Sequence, residues 1–339
     1  MKYRTLGRSG AVVSTYALGT MTFGSETAEP EAARQLAEYT ARGGNLVETA
    51  DVYSGGESER IVGRWLGTLD ERARANIFLA TKGRFPVGVE TRDAGNSRRH
   101  LRRALDASLV RLGVEHVDLY QLHSWDPLTP LDESLGFLED AVRAGKISYA
   151  GLSNFTGWQI AKAATLAADR VPLISMQPQY NLLVREVEWE VVPACIDGGL
   201  GILPWSPLGG GWLTGKYSAT EAPTGATRLG EDPERGVEAY AGRSARDRTW
   251  TTISALTEIA TERGVTLSQV ALAWLHDRPG VTSIILGART VDQLTENLGA
   301  SHLVLTAEEV ARLDHASDPA AADYPYGAPG IEQRARTVD

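Results

Sequence analysis

The chain has 339 residues, 42% of them hydrophobic and 23% charged, and its 34 basic and 43 acidic side chains leave a net charge of −9. That composition describes an ordinary globular chain with enough apolar material for a large core, and it argues against disorder. The excess of acid argues against a broad nucleic-acid or anionic-membrane surface, so an anionic ligand would need its own local basic residues.

A single cysteine, Cys195, excludes an internal disulfide framework. The start MKYRTLGRSG lacks the apolar core of a signal peptide, and no downstream stretch reads as a membrane span. The expectation is a cytoplasmic protein. Tyr3 to Ser14 reads as a small hairpin turning at Gly7 to Gly10. After it, eight short apolar runs follow: Ala17 to Thr20, Asn45 to Glu48, Ile77 to Thr81, Val117 to Leu122, Ser148 to Leu152, Leu173 to Met176, Gly201 to Pro204 and Thr282 to Leu286. Segments of helical periodicity alternate with them: Glu31 to Arg42, Ser58 to Gly67, Ser97 to Leu112, Leu131 to Arg143, Thr156 to Ala167, Glu186 to Asp197, Trp250 to Arg263 and Val291 to Gly299. Eight strand-helix units imply a single-domain α/β fold, a closed (β/α)8 TIM barrel over residues 1–339, in preference to an open doubly wound sheet. The hairpin, an insertion at Lys216 to Asp247, a further helix at Leu267 to Asp277 and a tail beyond Thr306 account for the remaining length. Within the insertion, Ser218 to Gly236 is the least structured part and reads as a lid or a mobile loop.

Barrel enzymes collect their chemistry at the carboxyl ends of strands. The stretch GGNLVETADVYSGGESERIVGRWL shows such an end, with an apolar run stopping at Glu48, Asp51 and Tyr53 on a loop, and Ser58 available to cap the next helix. At the other strand exits stand Lys82, His123, Ser153-Asn154, Gln177, Trp205-Ser206 and Gly287-Ala288-Arg289. Singly, each has a bland reading as a solvent-facing charge, a structural histidine or turn chemistry. Together, an acid, a lysine, a tyrosine and a histidine around one mouth suggest a proton donor. A tyrosine normally titrates near pKa 10, and an adjacent ammonium favours its phenolate. Lys82 can act on Tyr53 in that way, with Glu48 keeping Lys82 charged and His123 hydrogen-bonding the oxygen that Tyr53 protonates.

The motifs YRTLGRSGAVVS, ETADVYSGGESERIVGRWL, LATKG, SLVRLGVEHVDLYQLHSWD, RAGKISYAGLSNF, QPQYNLLVRE, PWSPLGGGWLTGKY and GARTVDQLTENLGA resemble those of the aldo-keto reductase family over essentially the whole chain. The resemblance implies metal-free, NADPH-dependent reduction of a small-molecule carbonyl, with Tyr53 as the acid, Lys82 as its electrostatic partner and His123 as the orienting group. The family has Asp five residues before the tyrosine, where this chain has Glu48. The resemblance further implies that Ser153, Asn154 and Gln177 hold the nicotinamide carboxamide and that Trp205 lies against the ring. It also implies that Ser206 to Lys216, including Pro207, Leu208 and Gly210, carries the pyrophosphate. Gly287, Arg289, Gln293, Glu296 and Asn297 would carry the adenosine half, with Arg289 facing the 2′-phosphate of NADP. An amide needs donors and acceptors, and an indole face suits a flat ring.

Rival motifs fail on inspection. GGWLTGK, Gly210 to Lys216, starts like a phosphate-binding P-loop, but Tyr217 replaces the hydroxyl needed for magnesium. No G-x-G-x-x-G opens a helix, and the six histidines show no metal-ligand spacing. Met21, Phe23, Trp125, Tyr180 and Trp158 are candidates for an aromatic substrate mouth, Trp158 reading equally as helix packing. GNSRRHL, WDPLTPL, FTGWQ and EWEVVPAC resemble the actinobacterial branch of the family that includes nucleotide-deoxysugar reductases. The chain is also similar to potassium-channel β subunits, which leaves open an NADP-binding regulatory subunit with little turnover because of Glu48.

Overall fold

A computed structural model describes residues 1–225, 227–321 and 323–334; Ala226 in the insertion, Ala322 and the last five residues of the tail lie outside the described residues. Strands β1 (Tyr3–Thr5) and β2 (Val12–Ser14) form the expected antiparallel hairpin. Its turn is pinned to the barrel by the Arg8 amide, which donates to the Gly199 carbonyl at 2.7 Å. The eight remaining strands are β3 (Tyr16–Gly19), β4 (Leu46–Glu48), β5 (Phe78–Gly83), β6 (Val117–Leu122), β7 (Ile147–Ser153), β8 (Leu173–Gln177), β9 (Gly201–Ile202) and β10 (Ile284–Leu286). They run parallel in the order β10-β3-β4-β5-β6-β7-β8-β9. Bonds from Ile202 N to Gly280 O, Thr282 N to Ile202 O and Ile285 N to Pro204 O link the two ends, so the sheet curls into the anticipated (β/α)8 barrel.

Alternation along the strands decides what reaches the barrel axis. Ala17, Leu46, Phe78, Ala80 and Leu119 pack inside with Leu6 and Val13 of the hairpin, while Leu18, Val47, Leu79 and Tyr120 belong to the outer core beneath the helices. Two residues on from the inward set stand Gly19, Glu48, Lys82 and Gln121, and one further step of the same parity reaches His123. The polar end of each strand is thereby aimed at one mouth. The outer helices cover the opposite face in the usual amphipathic way. In Leu131–Arg143, Leu131, Leu135, Phe137, Leu138 and Ala141 are buried, each large apolar side chain contributing about 1.5–3 kcal/mol.

Two expectations need correction. Ser58 does not cap its helix, which starts at Glu57 after Gly56 in a left-handed conformation (φ 89°). Fully buried, the Ser58 hydroxyl instead donates to Thr20 O at 2.8 Å and meets the Thr20 and Thr49 hydroxyls, tying two strand exits together. The insertion is also more ordered than its Pro and Gly content suggested. It contains helical turns at Arg228–Glu231, Gly236–Glu238 and Tyr240–Ser244, because buried Trp212 stacks on Tyr240 and its indole N–H donates to Glu238 O at 3.0 Å.

Candidate active site

The strand exits surround a cavity of about 650 Å³. At its floor the Lys82 side chain is wholly buried and Glu48 is 3% exposed; the two form an ion pair. The ammonium also donates to Thr49 O at 2.8 Å and to the Tyr53 hydroxyl at 2.9 Å. Burial acts to lower the Lys82 ammonium, but Glu48 and then Tyr53 outweigh it and hold it above its ordinary value. The longer glutamate fits because of the strand beside it. Gly19 is the register partner of Glu48, and a Cβ there would stand 3.3 Å from Glu48 Oε2 and 2.6 Å from Ile285 Cγ2.

Burial, then Glu48, push the Tyr53 phenol up to about 12, with Lys82 pulling it back. The sequence anticipated the pull of Lys82 but not that burial and Glu48 would exceed it. His123 lies edge-on to Tyr53, with ring centroids 5.9 Å apart, and against Phe85 at 4.6 Å. Burial, Lys82 and Arg84 hold His123 well below its ordinary value, so it is neutral at neutral pH. It can then donate from one ring nitrogen.

The residues expected around a nicotinamide converge on the same cavity, which Ser153, Asn154, Gln177 and Trp205 line. Gln177 donates to Glu48 Oε1 at 3.3 Å, Asn154 donates to His123 O and Ser153 Oγ at 3.0 Å, and the Trp205 indole N–H donates to Asn154 Oδ1 at 3.0 Å. Ser206, Pro207, Leu208, Gly210, Lys216, Gly287, Arg289, Gln293, Glu296 and Asn297 line the remainder. A dinucleotide fits this lining chemically. Gly211 (φ 98°) adopts a backbone conformation that favours glycine, and it lies close under the Lys216 ammonium, to which a Cβ there would come within 2.6 Å. Buried Arg228 Nε has no hydrogen-bond partner and points to a missing acceptor. Partial burial, Arg289 and Arg228 depress Lys216, as expected of cations gathered for an anion.

Several lining residues were not anticipated, among them Glu26, Phe85, Arg228, Arg235 and Glu238. Glu26 pairs with both Arg235 and Arg289, and Arg289 also meets Glu231 at 3.0 Å. The insertion read as a lid or a mobile loop, and the signal in it for Arg228, Arg235 and Glu238 was its position after the seventh strand. Conversely, Phe23 and Tyr180 do not line the cavity. Phe23 is fully buried in the outer core, and Tyr180 is buried on Trp274 with its hydroxyl donating to Glu188 at 2.7 Å. Met21 does line it, whereas half-buried Trp125 packs edge-on against Phe155 and Trp158 outside the lining.

Residues 16–318 match the Aldo/keto reductase family. The chain belongs to that family. It is 37% identical over 325 residues to an uncharacterized oxidoreductase of Bacillus subtilis, covering 93% of this chain and 95% of that protein. A probable voltage-gated potassium channel subunit beta of rice is 36% identical over 323 residues (93% and 96%). The versiconal hemiacetal acetate reductase of Aspergillus parasiticus is 32% identical over 346 residues (95% and 98%). As an aldo/keto reductase the chain is an oxidoreductase, and the family suggests NAD(P)-dependent reduction of small carbonyl compounds. Among the described residues no helix is long and apolar enough to cross a membrane, and no group of three or more His, Cys, Asp or Glu could hold a metal ion.

Proposed function

We propose that the protein reduces an aldehyde or ketone to an alcohol, NADPH supplying the hydride and Tyr53 the proton. The observation that carries this is the Lys82 ammonium, bonded to the Tyr53 hydroxyl at 2.9 Å and paired with Glu48 at the floor of the cavity. The bound cofactor supplies the hydride; the chain's residues orient and protonate. Tyr53 donates to the carbonyl oxygen, the fixed Lys82 charge stabilises the phenolate left behind, and neutral His123 hydrogen-bonds the same oxygen from the other side. Asn154, Gln177 and Ser153 hold the nicotinamide amide, with Trp205 against the ring. Lys216, Arg228 and Arg289 hold the phosphates, and Gln293, Glu296 and Asn297 the adenosine. Met21 and Phe85 border the carbonyl side. A nucleotide-linked keto sugar is one carbonyl class to test, on the resemblance to deoxysugar reductases, and a cytoplasmic location suits such a substrate.

The test is turnover with NADPH and a panel of aldehydes, ketones and nucleotide-linked keto sugars, followed at the nicotinamide absorbance, for wild type and Tyr53→Phe. The expected result is a rate loss of roughly 10² to 10⁴ in the variant at unchanged cofactor affinity. A wild type that binds NADPH but reduces none of the panel would favour the regulatory-subunit reading. A variant as fast as wild type would remove Tyr53 from the chemistry.

A further inference from the structure

The loop after β4 carries a second acid that the Glu48, Lys82 and Tyr53 arrangement leaves unused. Asp51 is 2% exposed. Its backbone N–H donates to the Lys82 main-chain carbonyl at 3.1 Å, which ties the loop to the strand that carries the Lys82 side chain, and the Asp51 charge is felt by both Lys82 and Tyr53. Neither of its carboxyl oxygens has a hydrogen-bond partner, and neither does the buried hydroxyl of Tyr120. The two groups share the space beside Gly83. A Cβ on that residue would lie 2.2 Å from Tyr120 Oη and 3.3 Å from Asp51 Oδ2, so a glycine is required for both to occupy it.

The charges around Asp51 do not answer its own. Arg111, from the helix Arg98–Leu112, is bound to Glu59 at 2.6 Å, and Glu59, from the helix Glu57–Leu66, also accepts from the Thr81 hydroxyl at 2.6 Å. Lys82 on β5 is committed to Glu48, Thr49 O and Tyr53. Tyr120 on β6 and Tyr53 on the same loop complete the titratable surroundings. An ionised carboxylate without donors is costly in such a place, and a protonated one much less so. Burial and then Glu59 push Asp51 up to about 7, with Arg111 and Lys82 pulling it back.

We propose that Asp51 is a positioning residue for Tyr53: a carboxyl sealed behind the barrel mouth whose charge state, felt by Tyr53 and Lys82, sets how readily Tyr53 releases its proton. The proposal rests on the reading of Tyr53 as the proton donor. With Asp51 neutral, the Lys82 charge acts on Tyr53 and Glu48 alone. With Asp51 ionised, its negative charge opposes the phenolate, and Tyr53 becomes a weaker acid. Carbonyl reduction therefore steps down as pH rises through neutrality, to a lower plateau rather than to zero.

The experiment is the pH profile of kcat at saturating NADPH for wild type and Asp51→Asn, with cofactor affinity and urea stability measured on the same samples. A coupling of half a unit to one unit gives a step of about three- to tenfold in wild type. The step is absent in Asp51→Asn, and NADPH affinity is unchanged in both. Stability is the second readout. The folded-state value of Asp51 lies above its unfolded one, so its contribution is present in acid and lost as pH rises through about 7. The urea midpoint of Asp51→Asn should then gain on wild type between pH 5 and pH 8. Superimposable profiles in an active enzyme overturn the role of Asp51 alone, while an inert wild type overturns the proton-donor reading and the coupling with it. Should Asp51→Asn fail to fold, Tyr120→Phe removes the one facing hydroxyl that could donate to the charged form. The step then moves to higher pH, and an unmoved step overturns the proposal.

Discussion

Replacing Glu48 by Gln keeps the size of the side chain and the neighbouring Gln177 amide but removes the charge that answers Lys82. The Lys82 side chain is wholly buried and Glu48 nearly so, which makes this a buried pair broken from one side, a change that costs about 3–5 kcal/mol. Losing one neutral hydrogen bond would cost only about 0.5–1.5 kcal/mol. Thr49 O and the Tyr53 hydroxyl still accept from the ammonium, so the low end of the first range, about 3 kcal/mol, is expected at pH 7. The dependence on pH gives a second handle. In wild type Lys82 is held above its ordinary value, so the stability it contributes is present throughout the neutral range and is lost only at strongly alkaline pH. In the variant burial acts unopposed by Glu48 and lowers Lys82, so the folded state binds fewer protons than the unfolded one and gains stability as pH rises. The gap between the proteins should narrow by pH 9.5. Urea unfolding at pH 7 and 9.5 reads both effects, and Glu48→Gln combined with Lys82→Met should recover most of the loss. A loss below about 1 kcal/mol at pH 7 with no change at pH 9.5 would refute the reasoning.

Glu48→Asp shortens the arm by about 1.5 Å, roughly one carbon–carbon bond, with Lys82 still held by Thr49 and Tyr53. Turnover within about tenfold of wild type is expected on one good carbonyl substrate; a drop of about 10²-fold would mean that the ammonium moved out of line. Arg289→Ala should weaken NADPH by about 1.5–3 kcal/mol, the worth of a hydrogen bond to a charged group, and leave NADH nearly unaffected. Titration against tryptophan fluorescence measures both; no loss for either cofactor would show that Glu26 and Glu231, not a 2′-phosphate, occupy its guanidinium, and equal losses would place Arg289 against a part the two cofactors share. Gly19→Ala places a methyl 2.6 Å from Ile285 Cγ2 and 3.3 Å from Glu48 Oε2. It should cost about 1–3 kcal/mol as overpacking and lower turnover by displacing Glu48; a variant with wild-type melting and rate would show that the strand exit yields freely.

The barrel was legible because its grammar is local. A run of alternating residues buried on both faces makes a strand, a 3.6-residue period makes a helix, and eight alternations leave one compact closure. The rim residues were legible for the same reason, since the last inward position of each strand, Glu48, Lys82 and then His123, follows from counting by twos. Cys195, too lone for a disulfide, is buried in the helix Val187–Gly198. What the sequence could not decide depends on contacts between residues far apart in the chain. Ser58 has the form of a helix cap, but Thr20 and Thr49 claim its hydroxyl. Phe23 and Tyr180 have the form of a substrate wall, but the outer core takes one and Trp274 with Glu188 the other. Room for the extra methylene of Glu48 comes from Gly19 on the neighbouring strand. The insertion's Arg228, Arg235 and Glu238 become cavity residues only because Trp212 and Glu26 fold that segment inward. A side chain's period along the chain settles which way it faces, but its partner, and hence its charge and chemistry, is settled by which distant groups share its burial.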